Sequence, residues 1–267
     1  METHIDKLLI FDIKGPMAHF RKFYTNSSSL SYTFPPRTTI TGLIAGMMGR
    51  ERDSYYEEFN SEKCKIAVSI RSPVRKIMQT LNYVQTKKDK GGIKAVNLGA
   101  GHTQIPLEIV LPLKDNEQLN YRIYFYHAEL FDELRKILEA EKFVYPPYLG
   151  MSEFIAEIRF IDSIEQDEIK VLSNPSQPLE IVTPINAKQI QEEGLIFEHS
   201  SGETLQYIKE RMPIEFTPGR RIKKVGSFVY EKNNNIVKLK IKGNYYRIKY
   251  QDPKKGEITE NIVFMES

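Results

Sequence analysis

The sequence has no tryptophan, one cysteine and five histidines scattered along 267 residues. A lone Cys64 excludes a disulfide framework, and no Cys/His group has the spacing of a zinc site. No apolar run approaches the roughly 18–20 residues of a membrane span. The opening METHIDKLLIFDIKG is too polar for a secretory h-region. Walker A, GxGxxG, HExxH and GxSxG patterns are all missing. Carboxylates are plentiful, but none is spaced as a metal pair. These absences lead to the expectation of a soluble, cytoplasmic protein with no cofactor and no metal. The composition, 40% hydrophobic and 27% charged, is globular. The length suffices for one large domain or two ordinary ones.

Net charge is also scarce, at +3, which by itself argues against a nucleic-acid partner. Its distribution argues the other way. Stretches 14–50, 71–107 and 219–255 hold 24 Lys/Arg against 3 Asp/Glu, a net +21, and the rest of the chain holds 14 against 32, a net −18. Blocks of this size are an electrostatic footprint for a polyanion on one side. The acidic remainder would suit protein neighbours.

Residues 7–14 form an apolar run ending at Gly15-Pro16, the punctuation of a buried strand. After Pro35-Pro36, the segment Arg37-Thr38-Thr39 reads as an N-cap region. Ile40, Leu43, Ile44, Met47 and Met48 then fall on one helix face. Gly42 and Gly46 share another face, where a backbone or ligand can approach closely. Further strands are expected at 65–72, 104–111, 121–126 and 154–161, with a second amphipathic helix over 128–139. The order β-α-β, a long excursion, β, then α-β is the βαββαβ pattern of a ferredoxin-like or RRM-type α+β domain over residues 1–175. The excursion at about 73–103 is too long for a plain loop and carries Arg75, Lys76, Lys87, Lys88, Lys90 and Lys94, a basic protruding arm. Residues 176–267 read as a smaller β-rich part, with a hairpin of 236–242 and 245–250 turning at Gly243-Asn244.

A basic, hydroxyl-rich loop feeding a helix N-terminus suits RNA phosphates. Such a loop is present in Lys14, Gly15, His19, Arg21, Lys22, Tyr24, Thr25, Asn26, Ser27, Ser28, Arg37, Thr38 and Thr41. Phe20, Phe23, Tyr24 and Tyr32 are candidates for stacking unpaired bases or for the core.

Three landmarks resemble the CRISPR-associated protein 5 family, with wording most like its type I-B branch. They are Gly15-Pro-Met-Ala-His-Phe-Arg-Lys with Ser31-Tyr-Thr-Phe-Pro-Pro-Arg-Thr-Thr-Ile-Thr-Gly-Leu-Ile-Ala-Gly-Met-Met-Gly49, then Thr103-Gln-Ile-Pro-Leu-Glu108, then Pro147-Tyr-Leu-Gly-Met-Ser-Glu-Phe154. The resemblance implies an RRM-fold subunit of the Cascade surveillance complex in antiviral defence. Such a subunit caps the 5′ handle of crRNA and contacts the backbone and large subunits. Contact with target DNA near the PAM stays open, and no membrane is involved. The loop 15–29 and helix entry 37–41 would hold the handle, and the arm would be the family's thumb, a long basic β-hairpin, with Tyr83, Lys87, Lys88, Lys90, Lys94, His102 and Gln104. A catalytic branch uses a tyrosine before the first helix and a basic pair after the arm's return. Tyr32 matches the first, whereas Glu108 and Ile109 stand at the second, leaving His102 or Lys94 as substitutes. The leading expectation is therefore a non-catalytic handle binder. The alternatives are a metal-independent endoribonuclease acting on repeat RNA and a protein-contact scaffold.

Overall fold

The computed structural model describes residues 4–26, 28–84, 102–196, 205–233 and 236–267. In chain order the first elements are β1 (Lys7–Gly15), β2 (Phe20–Arg21), β3 (Ser31–Tyr32), α1 (Arg37–Met47), β4 (Cys64–Ile70) and β5 (Val74–Val84). Then come β6 (His102–Pro112), β7 (Leu119–His127), α2 (Phe131–Ala140), β8 (Glu157–Glu165), β9 (Ile169–Ser173), β10 (Leu179–Ile181) and β11 (Ile185–Asn186). The last are β12 (Ile190–Leu195), β13 (Tyr207–Thr217), β14 (Arg221–Glu231), β15 (Val237–Ile241), β16 (Asn244–Asp252) and β17 (Gly256–Ile262). Among the described residues sheet dominates, and two α-helices complete an α+β fold.

The unbroken apolar run of β1 is explained by its central place in an antiparallel sheet of order β4-β7-β1-β8. Alternation splits its side chains. Leu9, Phe11 and Ile13 join a core with Ile40, Ile44 and Met47 of α1 and Leu134 and Leu138 of α2. Leu8 and Ile10 face the other way, onto Tyr246 and Ile248 of β16 and Ile262 of β17. Residues after 175 are thus built into both faces: Met212, Ile214, Phe228 and Tyr230 of β13 and β14 enter the helix-side core.

On the opposite face a polar network fastens β16 and β17 to the sheet. Arg122 binds Asp12 at 2.7 Å and Asp252 at 2.8 Å, and donates to the Tyr250 hydroxyl at 2.8 Å. Beside it, Arg71 pairs with Glu260 at 2.6 Å, and Glu260 also accepts from Tyr124 and Tyr250.

Several local expectations shift. Pro36, not a threonine, stands at the N-cap of α1 in an extended conformation (φ −57°, ψ 155°), and its carbonyl accepts from the N–H groups of Thr39 and Ile40. Gly49 follows as the left-handed C′ residue, φ +74°. β8 starts at Glu157, since Tyr148 bridges Ile155 and keeps the preceding residues in a loop. The excursion, for which the resemblance implied a β-hairpin, opens with β5, whose polar run VRKIMQTLNYV carries no strand pattern of its own; β5 pairs with β6 from Val74–Pro112 to Val84–His102. The hairpin expected around Gly243 is a correction. The chain does turn there, φ +91°, but β15 pairs with β10 and β12, and β16 pairs with β9 and β17. Each strand has apolar residues that two different cores require, which outweighs the local turn signal.

Candidate nucleic-acid interface

A groove of about 1030 Å³ opens along the outer face of α1. Its floor is Thr38, Thr39, Gly42, Leu43 and Gly46; its walls come from the loop after β1, residues 50–56, the loop before β8, and the β13–β14 end. The two helix glycines have separate roles. A Cβ on Gly42 would meet the Tyr55 hydroxyl at 2.9 Å, whereas one on Gly46 would meet nothing, so Gly46 leaves the floor open. The loop before β8 is held by Gly150, φ +89°. A Cβ there would lie 2.0 Å from the His19 carbonyl, so only glycine lets the loop seat against the β1 exit. A bond from His19 N to the Leu149 carbonyl, 3.0 Å, completes the attachment.

Arg21, Arg50, Arg52 and Arg220 line the groove against one acid, Asp53. Arg50 is held by Glu58 and Glu133, and Arg52 reaches Asp53 at 3.4 Å. Arg21 and Arg220 make no ion pair among the described residues. Aromatic faces accompany the charge: Tyr145 is 57% exposed, Tyr148 46%, Tyr24 51% and Phe23 38%. Cations interleaved with exposed rings can neutralise phosphates and stack unpaired bases, at about 1–3 kcal/mol per stacked base.

The sequence-selected residues divide. Arg21 and Phe23 line the groove, Tyr24 and Asn26 lie exposed in the same loop, and Thr38 lies on the floor. Thr25 closes the loop through its hydroxyl to the Lys22 carbonyl, 2.9 Å, and Ser28 is half-buried beside it. His19 is buried in the groove wall, its Nδ1 2.7 Å from the Glu108 carbonyl. Phe20 belongs to the core, packed edge-on to Tyr121.

Other residues prove structural. Arg37, chosen for handle phosphates, is 1% exposed. Its guanidinium pairs with Glu266 and donates to the carbonyls of Phe59 (2.8 Å), Cys64 (2.9 Å) and Ile214 (3.2 Å). Gly15 is closed off, because a Cβ would strike Leu149 Cδ1 at 2.7 Å. Lys14 projects from the far face of β1 toward Asp12, 4.0 Å away. Thr41 is buried and bonds back to the Thr38 carbonyl. Lys22 is half-buried and bound to Glu210 at 2.8 Å; burial opposes its charge, and Glu210 outweighs burial and raises its pKa. Lys76 of β5 joins the cluster through Glu108 (3.4 Å) and Glu210 (3.8 Å).

Tyr32, the candidate catalytic tyrosine, is fully buried and donates to the Arg211 carbonyl at 2.7 Å. Burial pushes its hydroxyl well above the ordinary tyrosine range. In the arm, Gln104 is exposed on β6, and Tyr83 and His102 are placed only by backbone pairing. Ser27, Lys87, Lys88, Lys90 and Lys94 lie outside the described residues.

Ion pairs also soften the charge segregation. Arg37, Lys22, Arg71, Lys223 and Lys249 of the basic stretches take partners from acidic ones. What survives as a basic surface in the groove is narrower. Sequence reading missed Arg52, Tyr55, Tyr145, Tyr148, Phe216 and Arg220 there. Tyr148 sits inside a quoted landmark and Arg220 opens the third basic stretch, so partial signals existed.

The family model described as CRISPR-associated protein (Cas5) matches residues 8–229. No curated protein matches the chain. A chain of a CRISPR RNA-guided surveillance complex is similar with a TM-score of 0.50 at 14% identity, over 86% of this chain and 91% of that one. A CRISPR protein from Archaeoglobus fulgidus gives a TM-score of 0.48 at 13% identity, over 95% and 98% of the two chains.

Proposed function

Because the chain belongs to the CRISPR-associated protein (Cas5) family, we propose that it is a non-catalytic subunit of a type I Cascade complex that binds the 5′ handle of crRNA in the α1 groove. The groove carries the reading: it joins Arg21, Arg52 and Arg220 to exposed Tyr145 and Tyr148 in one concave surface. Positive charge holds backbone phosphates, and the rings accept bases of an unpaired strand. Sequence discrimination against a target is then left to base pairing by the guide.

The strand order β4-β7-β1-β8, with α1 after β1 and α2 after β7, supports a ferredoxin-like, RRM-type core. The β5–β6 pair supports a thumb-like arm at the inserted position. Acidic surface remaining outside the groove suits docking to the backbone and large subunits. Burial of Tyr32 favours the non-catalytic form, and the wording of the landmarks favours the type I-B branch.

The test is handle RNA binding by the triple variant Arg21→Ala, Arg52→Ala, Arg220→Ala. Its affinity should fall, and the slope of log K against log salt should shrink by about 2, at about 0.7 per lost single-strand contact. Unchanged affinity across salt would reject the groove. Incubation of the wild type with labelled repeat RNA in EDTA should leave it intact; a cut ending in a 2′,3′-cyclic phosphate would reject the non-catalytic reading.

A further inference from the structure

We infer that His19 offers Nε2 to the groove as a neutral hydrogen-bond acceptor, and so reads a donor on the bound strand. That donor is the ribose 2′-hydroxyl or an amino or imino group of a base. The inference rests on the groove being an RNA site.

The tautomer follows from Nδ1, which lies 2.7 Å from the Glu108 carbonyl oxygen. A carbonyl only accepts, so Nδ1 must carry the hydrogen, and Nε2 of the neutral ring is a lone-pair acceptor. Burial lowers the pKa of the ring, which is 5% exposed. The Glu108 carbonyl works against that shift and Arg21 and Lys76 work with it, and the net result favours the neutral form. Nε2 has no partner among the described residues, yet it is absent from the sealed, unpaired side-chain atoms. In a ring that lines the groove, it is therefore an atom the groove can reach. The Nδ1 bond to the Glu108 carbonyl holds the ring, and the backbone beneath it is anchored by His19 N on the Leu149 carbonyl and by Gly150 packed on the His19 carbonyl.

Among the side chains lining the groove, hydroxyls such as those of Thr38, Thr39 and Ser152 can donate as well as accept, whereas Nε2 only accepts. Arg21, Arg52 and Arg220 bring only donors, and the one acid, Asp53, is occupied by Tyr56 and Arg52. A phosphate diester has no hydrogen to give, so His19 does not suit the backbone charge. It suits a hydroxyl or base N–H held beside that backbone.

The experiment measures binding of a short labelled single-stranded RNA and its 2′-deoxy counterpart to the wild type, His19→Phe and His19→Gln. Loss of one hydrogen bond predicts that His19→Phe weakens RNA binding by about threefold to tenfold. If the 2′-hydroxyl is the donor, DNA binding is unchanged and the preference for RNA disappears; if a base is the donor, both affinities fall together. His19→Gln, with its amide oxygen, should retain part of the affinity. Nitrogen NMR of labelled histidine in the free wild type should show Nδ1 protonated and Nε2 bare at neutral pH. The opposite tautomer, or His19→Phe binding both strands as well as wild type, overturns the inference. Wild-type protein that binds neither strand overturns the RNA reading itself.

Discussion

Replacing Arg37 with alanine should unfold this protein more readily rather than loosen its hold on RNA. The guanidinium is 1% exposed and serves four backbone carbonyls besides the Glu266 carboxylate, which lies 229 residues away in the chain. Glu266 in turn accepts from the Ile66 N–H at 3.1 Å, so the pair joins the α1 entry, the start of β4 and the final residues. Removing one partner leaves a buried charge alone, which costs about 3–5 kcal/mol. For a domain of this size that lowers Tm by on the order of 10 °C. Glu266→Gln should act in the same direction by leaving the arginine uncompensated. Arg37→Met with Glu266→Leu should recover only part of the loss, because the carbonyls of Phe59, Cys64 and Ile214 still lose their donor. The assay is urea and thermal unfolding of the variants, with RNA binding measured across salt below the transition. Wild-type stability in Arg37→Ala, together with a smaller salt slope, would refute the reasoning and return Arg37 to the RNA surface.

Other outcomes are accessible to the same measurements. Tyr148→Ala should weaken single-strand binding by about 1–3 kcal/mol with Tm unchanged, because the ring is exposed and stacks on the ligand rather than the core; a drop in Tm without a binding effect would contradict it. Gly150→Ala should cost about 1–3 kcal/mol of stability and weaken RNA binding, since the loop must lift off the His19 carbonyl. Unaltered binding would show that the loop does not shape the groove. Acid should detach β16 and β17. Burial pushes the Glu260 and Asp252 carboxyls up, but Arg71 with two tyrosines at the first, and the Lys254 N–H with Arg122 at the second, bring both below their usual range. Stability from them is complete above the unfolded carboxylate pKa of about 4 and is lost as pH falls through the lower folded values. Urea midpoints should decline below about pH 4, with a lower plateau and a shallower decline in Glu260→Gln. Parallel curves for the two proteins would exclude that carboxylate as the cause.

Much of the frame was readable without coordinates because local pattern and burial agree there. The central strand β1, the apolar face of α1, β4, β7 and α2 each lie where period and punctuation place them, within a few residues. The polar run of β5 carries no strand period, so a hairpin there was implied only by the family resemblance. The split of β15 from β16 was not readable, because it depends on which core each strand fills. Among site residues, Arg21 and Arg37 look alike in sequence, two arginines flanking the same hydroxyl-rich loop. One lines an open groove, and the other is sealed beneath α1.

Periodicity, punctuation and three short motifs by themselves determined the α+β class, the order of the main elements and the family, since these depend on neighbours close in the chain. Tertiary structure alone decided which cations remain for a ligand. A cation's availability depends on whether a distant carboxylate such as Glu266, Glu260 or Glu210 is folded against it, and pairing across 180 or more residues leaves no local pattern to read.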